Sequence, residues 1–213
     1  QAHKTLDARR KAGEALAAKF EEEMKEVVSL TDDLVLRRLF ALVGAVQRTN
    51  FYQSDENGET RPWISFKVAS RELTDLPEPK PFREIFTSSP KVEGVHLRFG
   101  PVARGGLRWS DRPSDYRTEV LGLVKAQQVK NAVIVPVGSK GGFYPKQLPE
   151  RSDPTWFETG RDAYKEFITA LLGLTDNLVK GKVVAPKDTV VWDGEDPYLV
   201  VAADKGTATF SDT

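Results

Sequence analysis

The sequence predicts an α/β fold: a three-layer α/β/α sandwich on a mixed, largely parallel sheet, preceded by an N-terminal helical hairpin. Three observations carry this expectation. The first 50 residues are helical in period, and residues 51–213 hold short alternating or β-branched runs separated by helical stretches. Between them Val133–Val137 is a continuous apolar run, the pattern of a strand covered on both faces.

From His3 to Val28, Leu16, Phe20, Met24 and Val27 share one helical stripe. Thr31 is the predicted N-cap of a second helix, with Asp32 and Asp33 in the first turn, where the helix dipole favours acids. That helix is expected to run to about Arg48 and to bury Leu36, Leu39, Phe40 and Val43. Asn57-Gly58 marks a turn, after which Ile64, Phe66 and Val68 alternate with Ser65 and Lys67 as a half-buried strand. Pro77, Pro79, Pro81 and Pro90 mark a connection. Val95, Leu97 and Phe99 then alternate with His96 and Arg98, which places His96 on the solvated or domain-facing side.

Asp115 to about Lys130 is a helix with Val120, Leu121 and Val124 inward. Asp153-Pro154 opens another, reaching about Leu172 and burying Phe157, Tyr164, Phe167, Ile168 and Leu171. Val183-Val184, Thr189–Trp192 and Tyr198–Ala203 complete the strands. Residues 1–50 thus form a helical lead-in and residues 51–213 an α/β domain, without an internal repeat.

Composition narrows the chemistry. Lys plus Arg and Asp plus Glu both total 31, so no basic surplus favours nucleic acid. The absence of cysteine removes disulfides, thiolate metal sites and thiol nucleophiles. His3 and His96 are the two histidines, too few for a histidine-rich metal centre, so no metal site is expected. No signal-peptide pattern opens the chain, and no apolar run approaches the ~20 residues that span a bilayer. A cytoplasmic protein is the default expectation. The chain opens inside a helical pattern and stops just after a core-like strand, which reads as an excerpt of a longer protein.

Three places invite chemistry. Gly138-Ser139-Lys140-Gly141-Gly142 follows the run ending at Val137, and Asp204 follows the one ending at Ala203. In open α/β sheets ligands gather beyond the carboxyl ends of strands, so an amine and an acid are expected at corresponding strand ends. The glycines allow close approach of backbone N–H groups to an anion, although Walker A spacing is missing. Arg104-Gly105-Gly106-Leu107-Arg108, after the preceding strand, suits bidentate capture of a carboxylate or phosphate. Lys130 ends the Asp115 helix. Read singly, each has a plainer explanation: a tight turn with a solvated lysine, a surface turn, and a lysine on helix carbonyls.

Read together they are specific. The runs Gly100–Ser110, Glu119–Lys125 and Lys130–Gly142 resemble the glutamate dehydrogenases, above all the very large bacterial NAD-dependent type. The resemblance is strong over about Val95 to Lys146, with Val200 to Asp212 as a second segment. It implies that Lys140 is the catalytic lysine and Asp204 the catalytic aspartate, that Lys130 holds the substrate α-carboxylate, and that Arg104, Gly105 and Gly106 line the glutamate pocket. Two departures stand out: Arg104 occupies a lysine position of the small enzymes, and the spacing from Lys130 to Lys140 is shorter than theirs.

The resemblance further implies NAD as cofactor, L-glutamate and 2-oxoglutarate as ligands, and a homo-oligomer. No Gly-x-Gly-x-x-Gly follows a strand, so the dinucleotide is expected to bind a domain following this segment, and the segment alone to be inactive. The competing readings are a dehydrogenase of another amino acid, a non-catalytic anion-binding or regulatory module, and a purely structural segment.

Overall fold

The computed structural model describes residues 5–130, 137–204 and 206–213. In chain order the elements are helices α1 (Leu6–Glu23) and α2 (Leu30–Ala45), strands β1 (Val46–Thr49), β2 (Ile64–Val68), β3 (Arg83–Ser88), β4 (Val92–Arg98) and β5 (Ala103–Trp109), helix α3 (Tyr116–Lys130), strand β6 (Val137–Pro145), helix α4 (Trp156–Leu172), and strands β7 (Asn177–Val179), β8 (Lys182–Val184), β9 (Val190–Val191) and β10 (Val200–Ala203). Contacts divide them into two units, Gln1–Gly44 and Ala45–Thr213.

In the first unit Thr5 caps α1 by accepting the Ala8 N–H at 3.2 Å. The cap of α2 is Ser29, which accepts the Asp32 N–H at 3.3 Å, and not the expected Thr31. Phe20 and Phe40 stack at 4.0 Å, and Arg37 bridges Asp33 and Glu21. Leu36, Leu39 and Val43, expected to be buried, are exposed, because two helices give an apolar stripe a single partner surface. α2 stops at Ala45, and Val46–Thr49, expected as its last turn, is strand β1. Val46 and Thr49 are β-branched, and tertiary pairing with β2 outweighs the helical period.

The second unit is an eight-stranded sheet in the order β10-β5-β6-β4-β3-β2-β1-β9, with β7 and β8 as a separate hairpin. Parallel pairing is confined to β10, β5 and β6; the other five pairings are antiparallel. The sheet is mixed as expected but is not largely parallel. A parallel crossover needs a dozen or more residues, and β3 and β4 are joined by three, residues 89–91. β3 lies inside what the prolines marked as a connection, and Pro77, Pro79, Pro81 and Pro90 all fall outside its hydrogen-bonded span.

Helices cover both faces. On one, Val95 and Leu97 of β4 pack with Tyr116, Val120, Leu121 and Val124 of α3. On the other, Val92, Leu107 and Phe143 pack with Ala163, Tyr164, Phe167 and Leu171 of α4. Gly94 admits α4: a Cβ there would lie 2.5 Å from the Phe167 ring. α4 begins at Trp156, with the Asp153 carboxylate accepting from the Thr155 N–H and hydroxyl, and Phe157 is half exposed where burial was expected. Residues 133–136 of the expected apolar strand lie outside the described residues.

Candidate active site

The two glycine-rich segments are strand interiors, not turns beyond strand ends. Arg104-Gly105-Gly106-Leu107-Arg108 lies within β5 and Gly138–Gly142 within β6. Glycine weakens a strand unless another group must come close, and that condition is met here. A Cβ at Gly105 would meet the Ser139 carbonyl oxygen at 1.6 Å, one at Gly141 the Leu107 side chain at 2.4 Å, and one at Gly142 the Val120 side chain at 2.4 Å. Most of these glycines serve strand–strand and strand–helix contact.

Gly106 is different. Its Cβ would lie 2.3 Å from Asp204 Cβ and 2.6 Å from Oδ2. Ala202 of β10 pairs with Gly106, and the β5–β6 register (Arg104 with Gly138, Leu107 with Gly141) sets Gly106 beside Lys140. Asp204, just past the end of β10, therefore reaches across a gap that any side chain at position 106 would fill. Its carboxylate there accepts a hydrogen bond from Lys140 Nζ. The lysine side chain is 17% exposed and the aspartate 41%. This is a partly enclosed, solvent-reachable ion pair.

Strand alternation fixes the face. Gly142 meets Val120 of α3 and Gly138 would meet Gln127 of α3, so Lys140, in phase with both, lies on the α3 face. In β5, Arg108 bonds Glu119 of α3 at 3.0 Å, and Arg104, in phase with it, lies on that face too, exposed. Lys130 is the last residue of α3, and its side chain lies outside the described residues. Lys140, Asp204, Gly106 and Arg104 are thus brought to one face. Gly105 is out of phase with them and spaces β5 from β6.

The opposite face of the same sheet carries charges that alternation alone could not place. Arg48, Lys67 and Arg98, from β1, β2 and β4, are buried with Asp176, Asp193 and Asp196. Arg48 grips Asp176 at 2.6 and 3.1 Å, and Arg98 grips Asp196 at 2.9 and 2.5 Å. Lys67 lies 2.5 Å from both Asp193 and Asp196. Burial alone would push the Asp196 carboxyl up, but hydrogen bonds and charge from Arg98 and Lys67 outweigh it and hold the group at about 2. The signal in the sequence is Lys67 between Phe66 and Val68, and Arg98 between Leu97 and Phe99. Alternation puts such residues on a polar face, an assignment that fails when both faces are covered.

His96, expected on a solvated or domain-facing side, is fully buried beside Gly141. Burial, aided by the Arg98 charge, lowers it to about 3, so it is neutral. Among the described residues no group of three His, Cys, Asp or Glu is arranged to hold a metal ion, and no helix is long and apolar enough to cross a membrane.

Relatives identify the family of the chain. A family model described as bacterial NAD-glutamate dehydrogenase, catalytic domain, matches residues 19–213. The chain is 60% identical over 190 residues to the NAD-specific glutamate dehydrogenase of Halomonas elongata, covering 89% of this chain and 12% of that protein. It is 59% identical over 190 residues to that of Pseudomonas aeruginosa, covering 89% and 12%, and 51% identical over 211 residues to that of Mycobacterium tuberculosis, covering 93% and 13%. The chain therefore spans about an eighth of the length of these curated relatives. On this match it belongs to the family of bacterial NAD-glutamate dehydrogenase catalytic domains.

Proposed function

We propose that this chain supplies the substrate side of an NAD-dependent glutamate dehydrogenase that converts L-glutamate to 2-oxoglutarate and ammonia, with residues 51–213 as the substrate domain. The observation that carries this reading is the Lys140 amine meeting the Asp204 carboxylate across Gly106, on the face that also bears Arg104. Once the substrate Cα is oxidised to an iminium, water must add to that carbon and give up a proton. In this reading Lys140 hands its proton to Asp204 along their hydrogen bond and takes the proton of the water, and Asp204 passes the one it received to the departing amine. The two side chains share a hydrogen bond, the geometry proton transfer needs.

A dicarboxylate calls for two separated cations. Arg104 is assigned to the side-chain carboxylate and Lys130 to the α-carboxylate, with Gly106 keeping the floor of the pocket low; Gly105, out of phase, serves the β5–β6 contact instead. A guanidinium at position 104 presents a planar fork where an ammonium would be a point charge, which favours bidentate capture. In this reading the connections that lead into α3 and α4 do not suit the dinucleotide. The β5–α3 connection reads Ser-Asp-Arg-Pro-Ser-Asp over residues 110–115, without a glycine to admit a pyrophosphate and with Asp115 already bound to Arg112. The 146–155 connection before α4 also lacks glycine.

The test is made in the full-length enzyme. Lys140→Ala and Asp204→Asn are expected to lower kcat on the order of a thousandfold while glutamate still binds. Arg104→Ala is expected to raise KM for glutamate about tenfold or more with a smaller change in kcat. Wild-type turnover in Lys140→Ala refutes the catalytic reading. An unchanged glutamate KM in Arg104→Ala removes the side-chain clamp and favours an enzyme for an apolar amino acid.

A further inference from the structure

The turn that carries Asp204 is tied to β5 through Thr207, a residue absent from the site reading above. Thr207 is fully buried. Its hydroxyl accepts the Asp204 N–H at 2.8 Å and donates to the Leu107 carbonyl at 2.8 Å. Its own N–H donates to the Asp204 carbonyl at 2.8 Å, closing a turn in which Gly206 takes the positive φ of +126°. A hydroxyl has one proton and two lone pairs, so both hydroxyl bonds are made at once. Leu107 pairs with Ala203 at the end of β10, so the hydroxyl joins the residue after β10 to the neighbouring strand. Downstream, Phe210 is buried against Trp109, Phe157 and Tyr164 at 5.0–5.6 Å between ring centres. Phe210 thus seats the turn in the core, and the Thr207 hydroxyl ties Asp204 to it.

We propose that Thr207 is a positioning residue, whose buried hydroxyl holds Asp204 over the gap at Gly106 and so against Lys140. This rests on the reading of Lys140 and Asp204 as the reacting pair. Replacing the hydroxyl by a methyl would orphan the Asp204 N–H and the Leu107 carbonyl together. The turn would then re-pair elsewhere, and a carboxylate displaced by about 1 Å from its productive place costs rate without touching substrate.

The experiment compares wild type, Thr207→Val, Thr207→Ala, Thr207→Ser and Lys140→Ala in the full-length enzyme, with rates expressed per mole of folded protein. Thr207→Val and Thr207→Ala are expected to lower kcat about 10-fold to 100-fold, with KM for glutamate within about threefold of wild type. Both should also displace the acid limb of the kcat–pH profile, and Thr207→Ser should restore rate and profile to near wild type. Wild-type kcat and an unshifted profile in the hydroxyl-free variants overturn the proposal. Loss of folding in both also overturns it, since the role is then structural. Lys140→Ala separates the two levels: if it turns over normally, the underlying pair is misassigned; if it is inactive while the Thr207 variants are normal, this inference alone fails.

Discussion

The two faces of the sheet hold charges in opposite ways. On the α4 side of β1, β2 and β4, three cations and three carboxylates are enclosed and paired with one another, with each side chain at most 10% exposed. On the α3 side of β5 and β6, one amine meets one carboxylate that is 41% exposed, and Arg104 stands in solvent nearby. A buried charge without a partner is costly, so the first set must be complete before any ligand arrives. Under the proposed function the second set exchanges its internal partner for a substrate carboxylate or ammonium, which its partial exposure makes less costly than breaking a buried pair. Under the proposed function, burial separates a scaffold charge from a working one.

The comparison breaks most sharply at Lys140. Its replacement by alanine should cost the full-length enzyme on the order of a thousandfold in kcat while leaving the unfolding midpoint of this chain nearly unchanged. Asp196→Ala should do the reverse. It leaves Lys67 and Arg98 buried without their shared carboxylate and is expected to cost about 3–5 kcal/mol in urea unfolding. If Asp196→Ala unfolds like wild type, the buried set is not a scaffold.

Gly106→Ala comes next. The added methyl collides with Asp204 rather than with backbone, so a loss of about a hundredfold in kcat is expected with modest destabilisation. Gly105→Ala, whose methyl would strike the Ser139 carbonyl oxygen, should instead destabilise the sheet. Equal effects of the two on unfolding would remove the distinction between the neighbouring glycines.

The smallest effect at neutral pH lies at His96 and is read as a slope. Its folded value of about 3 is below the usual 6.5, so between these values the unfolded chain binds a proton that the folded chain does not. Stability should therefore fall as pH drops from about 6.5 toward about 3, and His96→Gln should flatten that slope in unfolding experiments at a series of pH values. Asp176 and Asp196 are both lowered, so their contribution is complete above the ordinary carboxylate value of 3.8 and is lost as pH falls below it, for Asp196 on the way to about 2. That second slope should survive in His96→Gln and vanish at high pH in any variant.

What the sequence determined by itself is local or carried by contiguous runs. Helical period marked α3 and α4 with their inward residues, alternation marked β2 and β4, and the glycine-flanked Lys140 with the strand-end Asp204 marked the pair that the fold brings together. The tertiary structure decided what depends on partners distant in the chain. β1 and β3 are short, and their state follows from pairing with β2 and β4. The glycine runs are strands because Ser139, Leu107, Val120 and Asp204 crowd them, a fact invisible in a run of glycines. Lys67, Arg98 and His96 point inward because α4 and the segment that carries Asp193 and Asp196 cover the face that alternation assigned to water. Alternation distinguishes two faces of a strand but not which of them meets solvent, and that is settled only when the layers close.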